Sequence, residues 1–215
     1  MILGVGGLGR EALEIAEAMN DIDPVWNILG FLDDAREKHG QDINGYAVLG
    51  GREWCADHKA DVVIGLGPTA LRRKVALLLA EQYQTRFATL VHPASVVARR
   101  STVGAGSVVF PGAVVGTQTR VGNHVVVSRN AAVGHDIEVK DFVNLFPTAC
   151  VSGHSVLGEG CELGSNVTVI PKVQIGAWTV LGAGAVAVSD LPANVVAIGV
   201  PAQAIKQREP GWHLR

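Results

Sequence analysis

The chain has 215 residues, 48% of them hydrophobic and 18% charged, with a formal charge of −2. This is enough apolar content for two modest cores and excludes a disordered chain, while scattered lysines and arginines leave no basic footprint for a nucleic acid or an anionic membrane. Cys55, Cys150 and Cys161 form no CxxC pair and are odd in number, Met1 leads straight into an apolar stretch without a basic leader, and no apolar run reaches membrane length, so a reduced, cytoplasmic protein is expected.

In chain order, "MILGVGGLG" predicts a short strand running into glycines, and "REALEIAEAM" a helix with Leu13, Ile15, Ala16 and Met19 on its apolar side. "VWNILGFLDD" predicts a strand that ends in two acids, Asp33 and Asp34. "ADVVIGLGP" predicts a further strand entering a glycine turn, and "ALRRKVALLLAEQY" a helix whose apolar face holds Leu71, Val75, Leu78 and Leu79. Alternating strands and helices imply a small parallel α/β sheet over residues 1–90, about half of a Rossmann-like dinucleotide fold. Gly4-x-Gly6-x-x-Gly9 follows the first strand and opens the first helix, with Asp33 roughly 25 residues on. That pattern leaves three readings open: NAD, a nucleotide-linked sugar whose phosphates meet backbone N–H groups, or a purely structural turn.

From Val91 onward every sixth residue is Val, Leu or Ile, through Val97, Val103 and Val109 to Ile175 and Leu181, so that residues 91–186 hold sixteen hexads without an insertion. A period of six excludes a helical stripe, whose spacing would be three and four. Each hexad predicts one short strand and a turn, with the aliphatic and the small fifth residue pointing inward. Glycine fills half of the second positions, as at Gly104, Gly116, Gly122 and Gly134, and is expected to relieve strain at the corners. The fold is a parallel β-helix over residues 91–190, and residues 191–215 are expected to cap its open end. Pro93, Pro111 and Pro147 differ by 18 and 36 positions and share one corner column if three hexads make a coil.

Four histidines lie in the repeats: His92, His124, His135 and His154. His135 is third in its hexad, at a corner, so its imidazole is expected to point outward. Eighteen residues on stands Gly153, which has no side chain, and strands stacking at about 4.8 Å would leave a gap there for a slender ligand. Asp136 and His154 are also 18 apart and should stack, with a corner salt bridge as the plain alternative. Cys161 holds an inward fifth position and Cys150 has no obvious base, so both read as small core or near-core residues and no acyl-enzyme is expected.

"AAVGHDIEVKDFVNLFPTACVSG", "LGSNVTVIPKVQIGAWTVLGAGAVAVSDLP" and "AIGVPA", preceded by an α/β domain carrying "GVGGLG" and "GFLDD", resemble the sialic acid O-acetyltransferase and UDP-amino-sugar N-acetyltransferase family over nearly the whole chain. The resemblance implies a left-handed β-helix of the hexapeptide-repeat acyltransferases, acetyl-CoA as co-substrate, a homotrimer with sites between subunits, and a nucleotide-linked amino sugar as acceptor. It makes His135 the general base and Asp136 the acid that orients and tunes it. Gly6, Gly7, Leu8, Asp33, Asp34 and Gly67 fall in segments that hold the nucleotide-sugar, and Asn144, Gly153, Ser165 and Ala183 in those lining the acetyl-CoA cleft; no resident metal is implied. The chain departs from the family pattern at three places: Leu8 for a histidine in the glycine loop, Ser128 for an asparagine, and Asn144 for a histidine beside the cofactor.

Other readings remain at the level of sequence. One is O-acetylation of sialic acid or a related acid sugar. A second is a metal-binding β-helix of the carbonic-anhydrase-like kind, with His124, His135 and His154 as ligands. A third is a scaffold that keeps the fold without catalysis.

Overall fold

In the N-terminal part the strand Ile2–Leu3 lies between Phe31–Leu32 and Asp61–Ile64, and Arg86–Phe87 continues the sheet; every pairing is parallel. The computed structural model describes residues 1–214, and its two units part between Pro93 and Ala94. The helix Gly7–Ile22 buries Gly9, Ala12, Leu13, Ile15 and Ala16. A Cβ at Gly9 would stand 1.8 Å from the Gly4 carbonyl oxygen, so only glycine lets the helix start this close to the strand it follows.

The helix Thr69–Tyr83 is rotated from the sequence expectation. Leu71 is 45% exposed, whereas Arg72 is 1% exposed and lies in the buried row with Thr69, Val75, Ala76 and Leu79. The guanidinium Nη1 donates to the carbonyls of Leu66 and Gly67, at 3.1 Å each, which makes its burial tolerable and fastens the turn after Asp61–Ile64. Hydrophobic periodicity ranks a leucine ahead of an arginine and misses this.

The second unit is a left-handed parallel β-helix. Its two-residue strands pair with those three hexads away at a constant offset of 18 residues, as in Ala132↔Cys150 and Val133↔Val151, which builds three sheets around a triangular coil. From Val109 to Leu181 every first-position aliphatic is at most 3% exposed, and from Ser107 to Ala185 every fifth-position residue is at most 4% exposed. The buried hydroxyls of Ser107, Thr119 and Thr179 among the latter are satisfied twice. Thr119 Oγ1 donates to the Gly134 carbonyl at 2.7 Å and accepts the Ile137 N–H at 3.2 Å.

Glycine does not do at the corners what the repeat suggested. From Gly106 to Gly184 the left-handed conformation falls on the fourth position of each hexad, and non-glycine residues hold most of these, including Gln118, His124, Asn130, Asp136, Phe142 and His154. The second-position glycines answer a different demand, since a Cβ at Gly104 would sit 2.5 Å from the Gly122 backbone and one at Gly116 2.5 Å from the Gly134 carbonyl oxygen. They let successive coils pass closely.

At the far end Val195–Ile198 extends the sheet of Val180–Leu181 in parallel, and Gln203–Gln207 turns back antiparallel. The ring of His213 stacks on Trp178 at 3.8 Å, which ties the last described residues to a corner. Among the described residues, no helix is long and apolar enough to cross a membrane.

Candidate active site

The expected site residues fall into two groups, one in each unit. In the N-terminal unit, the turns bearing Gly6, Asp33 and Gly67 follow three adjacent parallel strands, with the first strand central. Successive strands are therefore added first on one side of that strand and then on the other, and such a switch is the place where open α/β sheets bind ligands beyond the carboxyl ends of their strands.

The glycines of these turns divide into two kinds. Gly4 has φ +102°, Gly9 is forced by the Gly4 carbonyl, and a Cβ at Gly65 would meet the Gly9 Cα at 2.4 Å. Gly6, Gly7 and Gly67 would meet nothing within 4 Å. Packing explains the first set and leaves the second without a structural reason. Gly6 caps the helix Gly7–Ile22 without a side-chain bond, and the first-turn N–H groups point outward from a helix start.

The two acids of "GFLDD" are already engaged. Asp33 accepts the Val5 N–H at 3.2 Å, the Ala35 N–H at 3.0 Å and the Lys38 ammonium at 3.0 Å. Burial opposes its ionisation, but Lys38 and the two N–H groups outweigh that and hold its carboxyl below the usual value. Asp34 accepts the Arg52 N–H at 3.0 Å and pairs with the Arg52 guanidinium. Asp33 thus shapes the glycine loop, a role that spacing alone does not reveal. Leu8 is half-buried in the first turn of the helix Gly7–Ile22.

In the β-helix, His135 and Asp136 occupy the third and fourth places of one corner. Asp136 takes the left-handed conformation, φ 56°, which aspartate tolerates better than most residues. Its Oδ2 lies 2.7 Å from His135 Nδ1, and its Oδ1 accepts a bond from Gln118 Nε2 at 3.1 Å. An ionised carboxylate only accepts, so this geometry places the Nδ1 proton toward Asp136 and leaves Nε2 with the lone pair. The imidazole is 57% exposed.

The stacked glycine has a different use from the expected ligand gap. A Cβ at Gly153 would lie 2.7 Å from both Cε1 and Nε2 of His135, so the imidazole itself fills the space above it. The Gly153 N–H has no acceptor among the described residues. His154 does not flank the carboxylate through a hydrogen bond. Its ring stands edge-on to His135, with centroids 5.1 Å apart and planes at 87°.

Gln118 escaped the sequence reading, although it was reachable by subtracting one coil from Asp136. Cys150 is exposed on a lateral strand face, which corrects its reading as near-core, and Cys161 is buried with its thiol pushed far up by burial. His124 sits at another corner, 6% exposed and stacked on Phe142 at 5.1 Å, so within one chain it does not join His135 and His154.

The four residues assigned to the cofactor do not converge in a single chain. Gly153 lies with His135. Ser165 and Ala183 follow strands Glu162–Leu163 and Val180–Leu181 of a different sheet, stacked one above the other, and Asn144, 6% exposed, lies on a strand of that same sheet.

Residues 1–79 match the PglD N-terminal domain family, and residues 154–186 match the bacterial transferase hexapeptide (six repeats) family. The chain is similar to a mutant form of the perosamine N-acetyltransferase of Caulobacter crescentus in complex with CoA and GDP-perosamine, with 27% identity, 96% of each chain covered and a TM-score of 0.87. It is similar to the acetyltransferase domain of PglB from Neisseria gonorrhoeae FA1090 in complex with acetyl coenzyme A, with 27% identity, 95% of this chain and 97% of that one covered and a TM-score of 0.86. Among curated proteins, it is 43% identical over 51 residues to galactoside O-acetyltransferase of Escherichia coli K12, covering 24% of this chain and 25% of that protein. It is 32% identical over 77 residues to serine acetyltransferase of Mycobacterium tuberculosis, covering 35% and 34%. The chain thus spans a quarter to a third of the length of these curated relatives.

Proposed function

We propose that this chain, which belongs to the hexapeptide-repeat sugar acetyltransferases, moves an acetyl group from acetyl-CoA to the amine of a nucleotide-linked sugar. The observation that carries the reading is the His135 imidazole, held at Nδ1 by Asp136 and seated over Gly153 with Nε2 left to accept a proton. The acceptor nitrogen attacks the thioester carbonyl carbon while Nε2 takes its proton, a contribution of about 10² to 10⁴-fold. The C–N bond forms, the tetrahedral oxyanion collapses, the C–S bond breaks, and the thiolate leaves as CoA thiol with the proton carried by His135. The uncommitted Gly153 N–H is the group chosen for the oxyanion. Cys150 and Cys161 take no part.

Gly6, Gly7, Leu8 and Gly67 hold the diphosphate of the nucleotide-sugar, with Asp33 and Asp34 shaping the loops behind them. The solved relative that carries GDP-perosamine supports a nucleotide-activated amino sugar as the acceptor class. A homotrimer is supported by the unequal faces of the prism. Val96, Val114, Ala132, Cys150 and Val186, with Thr168 among them, make one face largely apolar, while Thr102, Arg120, Glu138 and Gln174, with Val156 among them, make another largely polar. Association through apolar faces brings Asn144, Ser165 and Ala183 of one subunit to the cleft at His135 of the next, which accounts for their separation within a chain. The three free thiols suit a reducing cytoplasm.

The test is thiol release from acetyl-CoA across a panel of GDP-, UDP- and dTDP-linked amino sugars and their hydroxyl counterparts, with mass spectrometry of the product. An N-acetyl product from at least one amine is expected. Release with the hydroxyl sugars alone would replace the amine by a hydroxyl, and no release with any of them would defeat the proposal.

A further inference from the structure

We infer that His135, Asp136 and His154 also form an inhibitory site for a divalent cation of the zinc class, which silences the enzyme by occupying the base. The effect on turnover rests on the reading of His135 as the base; the binding does not. One ligand atom from each residue can be chosen such that all lie within 4.8 Å of one another, and His135 Nδ1 stands 2.7 Å from Asp136 Oδ2. Two imidazoles and a carboxylate are a donor set for zinc with its fourth position open to water. Bonds of about 2.0–2.1 Å set tetrahedral ligand atoms roughly 3.3 Å apart. The 2.7 Å between His135 Nδ1 and Asp136 Oδ2 is shorter than that value and the remaining separations are at most 4.8 Å, and all three side chains are exposed, so small rotations bring them to it.

The backbone supplies the preorganisation. Asp136 and His154 take the same left-handed conformation one coil apart, with φ 56° and 61°, and the His154 N–H donates to the His135 carbonyl at 3.2 Å. Gln118 engages Asp136 through Oδ1 and orients the carboxylate, and a cation taken at Oδ2 replaces the His135 Nδ1 proton that this oxygen otherwise accepts. The nitrogen-rich set disfavours magnesium and calcium, which prefer oxygen cages. His124, buried at another corner, contributes nothing.

Cobalt(II), whose tetrahedral complexes absorb visibly, reports binding without any turnover. The full-length wild type, Cys150→Ser and His154→Gln are titrated with it, and acetyl transfer is followed separately under zinc, magnesium and chelator. Glutamine is a sound replacement because Gln84 and Gln118 already hold left-handed conformations in this chain, with φ 50° and 58°. One cobalt per wild-type chain is expected, displaced by zinc, unchanged in Cys150→Ser and weakened by more than about tenfold in His154→Gln. Zinc should stop turnover at the concentration that displaces cobalt, chelator should restore it, and magnesium should do neither. No tetrahedral spectrum in the wild type, or equal affinity in His154→Gln, overturns the site, and turnover unchanged at saturating zinc overturns the inhibition. A His135→Ala chain that still turned over would defeat the base assignment alone, because the cobalt spectrum of the wild type reports the site independently.

Discussion

Replacing Gly153 by alanine isolates the placement of His135 from its identity. The added Cβ would lie 2.7 Å from Cε1 and Nε2 and 3.2 Å from Cδ2 of the imidazole, against about 3.5–4.0 Å for a relaxed contact. An overlap of about 1 Å has to be relieved. Gly153 is not among the residues of positive φ, so alanine carries no backbone penalty and the strain falls on the ring. At 57% exposure the imidazole can swing into solvent, so thermal stability should stay within about 0.5 kcal/mol of wild type. Catalysis should suffer far more. A displacement of about 1 Å costs on the order of 10²-fold, within the 10² to 10⁴-fold that a general base supplies. Steady-state thiol release should show kcat down by about 100-fold, with acetyl-CoA affinity, read by calorimetry, little changed. Wild-type kcat in a correctly folded Gly153→Ala chain would refute the claim that the ring's seat over residue 153 is its working position.

Two other substitutions probe the scaffold. Asp33 has a depressed folded-state value, so its contribution to stability is complete above 3.8 and is lost as the pH falls through the folded value. Urea unfolding of Asp33→Asn should show a less stable N-terminal unit at neutral pH and a gap to wild type that closes below pH 3.8; a gap constant with pH would contradict the ion pairing. Thr119→Val keeps the shape of a buried side chain but strands the Gly134 carbonyl and the Ile137 N–H on either side of the His135–Asp136 corner. It should cost about 1–3 kcal/mol in chemical denaturation. An unchanged midpoint would mean that water or a neighbouring group replaces the hydroxyl.

What could be read from residues alone follows from how strongly each position is constrained. The inward aliphatics admit no other side-chain class, because every coil repeats the same narrow interior, and Val109 to Leu181 show it as an unbroken series. The stacking of Gly153 against His135 was reachable by counting 18, since register in a coil without insertions is arithmetic. The corner conformations were not, because the left-handed position accepts Asp, His, Phe and Gln alike and leaves no compositional mark. Glycine drew attention to the second position, where it serves the close approach of coils. Arg72 was hidden for a similar reason, as its burial depends on two carbonyl partners that no hydrophobic pattern records. The distinction between Gly9, needed for packing, and Gly6, Gly7 and Gly67, which face open space, required coordinates.

Acetyl transfer by His135→Ala, measured with the best nucleotide-linked amino sugar from the panel, tests the central claim most directly. The account predicts loss of turnover by about 10² to 10⁴-fold with acetyl-CoA binding, folding and subunit association intact. Turnover near that of the wild type in a folded variant that still binds acetyl-CoA would contradict it.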